Sequence, residues 1–428
     1  LRSLGGKVFD EADRWALPPS RYDALNGFIE TAARAGHELA CRDEALAFMA
    51  EHRDAQTRRH VLAEAYPRGA ASAGLRKKLL ATTLYPYQVE GALFAVQAGR
   101  CLIGDEMGLG KTVQALAAAR LFMRHFGVER VLVVYLTPLK HQWKREFARF
   151  CGIEAQVVGR LRAARQSQYA DAAPCKIANY DTLARDLDLI AAWSPELVIV
   201  DEAQRVKNWN TVAAQALRRI DSPYAVVLTG TPLENRLEEL ISIVQFVDRH
   251  RLGPTWKLLH AHQVRDDAGR VVGYRALDRI GATLAPIMLR RRKAEVLQQL
   301  PGRIDKNLFV PMTPEQRVHH DENGDTVARI VKRWRRSGYL SEADQRLLTC
   351  ALQNMRMSCD STYLLDHQTD HGHKVDELML VLEDLLADPA AKVVVFSQWL
   401  RMHELIARRL SAAGLGHVLF HGGVPSHK

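Results

Sequence analysis

Apolar residues along the chain follow two rhythms. Short unbroken runs, Leu102–Ile103, Val131–Leu136, Leu197–Val200 and Ala225–Leu228, alternate with stretches in which apolar positions recur every three to four residues, such as VQALAAARLF from Val113. An unbroken run of this length suits a strand covered on both faces, and the periodic stretches suit helices packed over it. Strand alternating with helix predicts a parallel sheet of the α/β class. Residues 1 to about 80 lack this rhythm and are helical in pattern and rich in alanine, and the rhythm breaks again between about 250 and 372. It resumes at Lys374 with the helical stretch VDELMLVLEDLL, the run KVVVFSQW, the helical stretch MHELIARRLSAAG and the run VLFHGG. The expected organisation is a helical accessory region at 1–80, an α/β lobe at 81–250, a helical protrusion and linker at 251–372, and the start of a second α/β lobe at 373–428.

With 428 residues, 47% hydrophobic and 25% charged, the chain can build about three globular domains. Lysine and arginine number 59 against 49 aspartates and glutamates, and the net charge of +10 permits a polyanionic partner without requiring one. Six cysteines, at 41, 101, 151, 175, 350 and 359, contain no C-x-x-C pair. Neither a zinc ribbon nor a disulfide framework is indicated, and a reducing, cytoplasmic setting is expected. No apolar run approaches the roughly 18 residues of a membrane span.

Chemistry enters at Cys101–Thr112, CLIGDEMGLGKT, where a short apolar run meets a glycine loop and a helical pattern begins at once. A loop of this kind, running from Asp105 through Met107, Gly108, Leu109 and Gly110, lets backbone N–H groups turn toward phosphate oxygens, and the helix N-terminus adds partial positive charge. Lys111 would reach the β and γ phosphates of a nucleotide, and Thr112 would offer its hydroxyl to Mg²⁺. The usual G-x-x-x-x-G-K-[ST] spacing is not fully met, because Asp105 occupies the first glycine position.

Four further stretches can be placed around this loop. Upstream, Gln88 in LYPYQVEGALFAV carries an amide able to pair with both a ring nitrogen and the amino group of adenine. The run VLVVYL ends at Thr137 and Pro138, and Lys140, Trp143, Lys144 and Arg145 follow. Thr137 suits a nucleic-acid phosphate or a plain helix cap, and these cations suit the same partner or a solvated face. A similar strand end carries Asn179, Tyr180 and Asp181. The run Leu197–Val200 delivers Asp201 and Glu202 to the carboxyl edge of a central strand, where α/β folds bind ligands. Asp201 can then hold Mg²⁺, and Glu202 can orient or deprotonate an attacking water, with Gln204, Arg205 and Lys207 close behind. Finally AVVLTGTPLENRLEEL delivers Thr229, Gly230 and Thr231, small residues able to sense a γ-phosphate through the acids.

GDEMGLGKT, DEAQ followed by KN, and TGTPLEN, in this order and at these distances, resemble the first motor lobe of superfamily 2 helicases, specifically the Swi/Snf-type ATPases that translocate on double-stranded DNA. The resemblance covers about residues 84 to 428, and that family tolerates Asp at the first loop position. It implies two RecA-like lobes, the second incomplete here, that close on ATP and Mg²⁺ and ratchet duplex DNA. It implies base reading by Gln88, phosphate binding by Gly108–Thr112, metal and water handling by Asp201 and Glu202, coupling through Gln204, Thr229, Gly230 and Thr231, and track contacts near Thr137, Pro138, Lys140, Asn179 and Thr231. The segment APIMLRRRKAEVLQQLPGR resembles the family's inter-lobe connection, where Arg290, Arg291 and Arg292 suit DNA phosphates or a solvated run. At the strand ends expected of the second lobe, Gln398 and His421 take nucleic-acid-facing places.

A bacterial, nucleoid-associated setting is implied, and an RNA-polymerase-associated or other complex remodeller, or a strand-separating or annealing helicase, stands as the alternative. In the family the arginine that completes hydrolysis lies in a motif not contained in these residues, so the polypeptide is expected to bind ATP and hydrolyse it poorly. KVFDEADRWALPPSRYDAL, with Trp15, Pro18, Pro19 and Tyr22, faintly resembles a small DNA-binding module of annealing helicases, although the same residues suit simple packing. Trp334 among Lys332, Arg333, Arg335 and Arg336 suits a polyanion or an inward-packed helix. His367, His371 and His373 with Cys359 upstream are zinc-ligand types, but a Gly- and Asp-containing connector without a second cysteine pair fits a plain linker better.

Overall fold

The computed structural model describes residues 22–36, 43–136, 140–159, 161–206, 208, 211–230, 237–249, 251–267, 269–296 and 305–424. The chain divides into two compact units, Leu1–Leu300 and Pro301–Lys428. Among the described residues the first holds nine strands: β1 Arg100–Ile103, β2 Val131–Tyr135, β3 Ala155–Val157, β4 Cys175–Asn179, β5 Leu197–Val200, β6 Tyr224–Leu228, β7 Gln263–Arg265, β8 Val271–Tyr274 and β9 Met288–Leu289. Seven of them form one parallel sheet in the order β3-β4-β2-β5-β6-β1-β9, and β7 and β8 form a separate antiparallel pair.

The unbroken apolar runs are explained by burial on both faces. Val131, Val133, Leu197, Ile199, Val226, Leu228 and Ile103 enter one core, with Val89, Val96, Leu116 and Phe122 from helices Pro86–Ala98 and Lys111–His125. Their neighbours Leu132, Val134, Val198, Val200, Val227 and Leu102 enter the opposite core, with Leu183 and Ile190 from helix Tyr180–Trp193 and Leu240 and Val244 from helix Leu237–Val247. Period-two alternation is therefore present in space but invisible in the sequence, because both faces are apolar.

Two features depart from the sequence expectation. The sheet does not end near residue 250, because Met288–Leu289 adds a seventh strand beside β1, and Gly104 and Glu106 continue that ladder to the carbonyls of Leu289 and Arg291. Two residues flanked by a proline and four cations carry too short an apolar signal to announce a strand. In the second unit, the segments expected as strands form none among the described residues. Val394, Phe396, Val418 and Phe420 are 72%, 90%, 93% and 83% exposed, while Val395 between the first two packs against the helices of this unit. A strand forms only where a neighbour satisfies its N–H and C=O groups, and neither run has such a neighbour among the described residues. The described part of this unit is helical. Helices Pro314–Ser337 and Glu342–Ser358 pack on each other, and Tyr363, Leu364, Val375, Met402, Leu405 and Ile406 form a small core. Trp334 is 46% exposed rather than packed inward.

The accessory residues are helical where described, with helices Tyr22–Arg34 and Asp43–Ala65, while Trp15, Pro18 and Pro19 lie outside the described residues. Leu62 joins the first core, and buried Arg58 donates to the carbonyls of Gln97 (3.4 Å) and Ala98 (3.2 Å), which the end of helix Pro86–Ala98 leaves free. No described helix is long and apolar enough to cross a membrane. Arg58→Ala should leave those carbonyls without their donor and destabilise the first unit by about 1–3 kcal/mol, read as a lowered thermal midpoint.

Candidate nucleotide site

The carboxyl edge of the sheet gathers the predicted residues. In the order β5-β6-β1 the acids after β5 and the loop after β1 are separated by one strand, roughly 10 Å at the usual strand spacing. Gly230, just past β6, fills that gap: a Cβ there would lie 2.8 Å from Met107 Cγ and 3.7 Å from Lys111 Nζ.

The loop is held open by its glycines. Gly108 (φ +89°) and Gly110 (φ +71°) occupy the left-handed region, and Gly110 serves as N-cap of helix Lys111–His125. A side chain at Gly110 would also strike Gln88 Nε2, at 2.6 Å. The N–H groups of Gly108, Gly110, Lys111 and Thr112, and the Thr112 hydroxyl, have no acceptor or donor partner among the described residues. Lys111 Nζ donates to the Asp105 carbonyl at 2.9 Å. Burial lowers the pKa of Lys111, and the charges of Glu202, Asp105 and Asp201 work against that shift, so the ammonium feels both acids of the β5 edge.

Asp201 is built into the fold more deeply than the sequence suggested. It is buried, its Oδ2 accepts from Trp143 Nε1 at 2.7 Å, its Oδ1 accepts from the Glu202 N–H at 3.0 Å, and the Tyr180 hydroxyl donates to its carbonyl at 2.7 Å. Burial pushes its carboxyl up to about 6; the Trp143 bond opposes the shift, and Glu202 and Glu146 add to it. Trp143 is thus not part of a solvated or track-facing surface. It is fully buried as the partner of the acid.

Glu202 has a left-handed backbone (φ +50°), and its Oε2 accepts from Gln204 Nε2 at 2.5 Å. Gln204 Oε1 in turn accepts from the Thr229 hydroxyl at 3.1 Å, so the ends of β5 and β6 are joined by side chains.

Asp105 and Arg291 require correction. Asp105 is fully buried and its carboxylate is already engaged: Oδ2 accepts from Arg291 Nη2 (2.6 Å) and Gln114 Nε2 (3.0 Å), and Oδ1 accepts from the Arg291 N–H (3.0 Å) and Nε (3.2 Å). It shapes the loop rather than facing a nucleotide with its side chain. Arg291, expected on a nucleic-acid face, turns inward, donating also to the Tyr87 carbonyl (2.5 Å) and Gln114 Oε1 (2.8 Å). The alternation of an extended segment explains it: Arg290 and Arg292 are exposed and Arg291 between them is not. Gly91 leaves room for this cluster, since a Cβ there would lie 1.8 Å from Gln114 Oε1. From the sequence alone Gln114 is not a candidate and Arg291 takes a nucleic-acid partner in place of Asp105; the one available signal is the acid standing where a glycine is usual.

The remaining positions are more scattered. Gln88 Oε1 accepts from the Tyr85 N–H (3.0 Å) and Nε2 donates to the Leu109 carbonyl (3.5 Å), so its amide caps its own helix and touches the loop. Asn179 caps helix Tyr180–Trp193, its Oδ1 accepting from the Asp181 N–H at 2.8 Å. Lys140 opens helix Lys140–Glu146. Thr137, Pro138 and Thr231 lie outside the described residues. In the second unit, exposed Gln398 accepts from Arg356 at 2.6 Å, and His421 Nδ1 accepts from the Gly423 N–H at 3.1 Å.

A doubly wound parallel sheet with a glycine loop, its lysine and two acids at one edge defines a phosphate-loop nucleotide-binding domain. The chain belongs to the SNF2-related domain family, whose model matches residues 42–363. It is 26% identical over 368 residues to a chromodomain-helicase-DNA-binding protein 1-like of Danio rerio, covering 80% of this chain and 34% of that one. It is 26% identical over 348 residues to the putative ATP-dependent helicase/translocase YwqA of Bacillus subtilis, covering 77% of this chain and 37% of that one. The chain therefore spans about a third of the length of these curated relatives. Among solved structures, the Sulfolobus solfataricus SWI2/SNF2 ATPase core in complex with dsDNA aligns over 78% of this chain and 70% of that chain, at 23% identity and a TM-score of 0.49.

Two predictions follow from the buried charges. Arg291→Met strands the Asp105 carboxylate and should cost about 3–5 kcal/mol; adding Asp105→Asn should recover part of the loss, a coupling that a double-mutant cycle in denaturant measures. Asp201 is raised above its unfolded value of 3.8 to about 6, so its charge destabilises the fold fully above pH 6 and not at all below pH 4. Asp201→Asn should therefore raise the thermal midpoint at pH 7.5 by a few degrees, measured without nucleotide or divalent cation, and the gain should vanish as pH falls toward 4.

Proposed function

We propose that the protein is an ATP-dependent motor that binds Mg²⁺-ATP at the edge formed by Gly108–Thr112, Asp201 and Glu202, hydrolyses it, and moves along double-stranded DNA. One observation supports this reading above the others: the charges of Asp201 and Glu202 act on the Lys111 ammonium, which opens the helix behind a loop whose N–H groups have no partner among the described residues. Free N–H groups and an ammonium suit phosphate oxygens, and neighbouring acids suit the cation that accompanies them.

The donor set fits magnesium. The Thr112 hydroxyl and the Asp201 carboxylate are hard oxygen ligands, and each Asp201 oxygen accepts one hydrogen bond and keeps a lone pair. When bound, Mg²⁺ would offset charge on the β and γ phosphates. The protein's own part is positional. Lys111 holds the phosphates, Trp143 and Tyr180 fix the acid, and Glu202, held by Gln204, orients the attacking water. The contact from Gln204 to Thr229 is the proposed route by which loss of the γ-phosphate reaches the end of β6.

For the track, family membership supports nucleic acid. Exposed Arg290 and Arg292 have no side-chain partner among the described residues, and the net charge of +10 favours a polyanion. Duplex DNA is preferred to a protein target on this ground. Lys111→Ala should weaken Mg²⁺-ATP binding and reduce turnover by roughly 100-fold or more. Turnover should rise with duplex DNA more than with single strands or RNA and lose that stimulation as salt increases. Stimulation by RNA polymerase but not by DNA would favour the complex-remodelling alternative, and displacement of an annealed strand would favour a helicase.

A further inference from the structure

The segment that follows β9 lies along the phosphate loop, bonded to it at Arg291 and Lys293. The Glu106 N–H donates to the Arg291 carbonyl (3.0 Å), the Arg291 side chain clamps Asp105, and the Lys293 N–H donates to Glu106 Oε2 (2.7 Å). Lys293 then extends its side chain over Gly108: a Cβ on that glycine would lie 3.1 Å from Lys293 Cε and 3.2 Å from Nζ. No carboxylate among the described residues lies within ion-pair distance of this ammonium. The ammonium therefore lies against the phosphate loop, where the N–H groups of Gly108 and Gly110 have no partner among the described residues. Donors and a cation gathered at one loop suit an anion lying against them.

We propose that Lys293 is a second phosphate-binding lysine of the nucleotide site, contributed by the connector that leads to the second unit rather than by the phosphate loop. Through it, nucleotide occupancy would act on a segment a few residues before Pro301, where that unit begins. The inference rests on the nucleotide site proposed above and adds a residue to it.

The test measures binding of ATP, ADP and AMP by fluorescence or calorimetry to the wild-type chain, Lys111→Ala, Lys293→Met and Lys293→Arg, with thermal melts to confirm folding. Methionine keeps the aliphatic stem on Gly108 and removes only the charge. The expected result is about tenfold weaker ATP binding by Lys293→Met, a smaller loss for ADP, none for AMP, and substantial rescue by Lys293→Arg. Wild-type affinity for ATP in a folded Lys293→Met, tighter binding, or an equal loss for all three nucleotides would overturn the proposal while leaving the site itself in place. Failure of the wild-type chain to bind ATP would overturn both.

Discussion

The ion pair between Asp105 and Arg291 is the constraint on which the nucleotide site depends. A carboxylate with no exposed surface is costly unless its oxygens are engaged, and here four hydrogen bonds engage them. Because Arg291 lies 186 residues along the chain from Asp105, the pair also fixes where the segment after β9 runs. The pairing of β9 with β1 and the placement of Lys293 over Gly108 lie along that same segment, and Gly91 leaves clearance for it. The loop is therefore shaped from outside as well as by its own glycines.

A second constraint acts at the β5 edge. Parallel strands covered on both faces bring their carboxyl ends to a rim where a charged group is only partly hydrated, and Asp201 is held there by Trp143, Tyr180 and the neighbouring N–H. The same desolvation that raises its pKa strengthens its attraction to a cation, since the field of a bound ion is poorly screened in such a place. A carboxylate in open water would be more comfortable and less useful.

The parts legible in the sequence were those with a strong local cause. Buried strands of four to six apolar residues, glycines before a lysine and acids after a strand each depend on residues next to one another. The helices over both faces came with them. What stayed hidden depended on distant partners or on alternation too short to read. Trp143 looked like one residue of a basic face until Asp201 gave its indole a partner. Arg291 looked like its neighbours Arg290 and Arg292 until β9 turned it inward. Met288–Leu289 is a strand because β1 offers it an edge, whereas Val394 and Phe396, far better strand formers, are not strands because no strand among the described residues offers them one.

Glu202 shows what this arrangement demands of its backbone. A glutamate at φ +50° occupies a conformation that glycine would adopt freely, and the fold tolerates the strain because it turns the carboxylate toward Gln204 instead of letting it trail along the strand axis. Selection for heat resistance alone would drift toward glycine at this position and lose the aimed side chain. Glutamate there carries a small, standing penalty in folding, which its bond to Gln204 partly offsets.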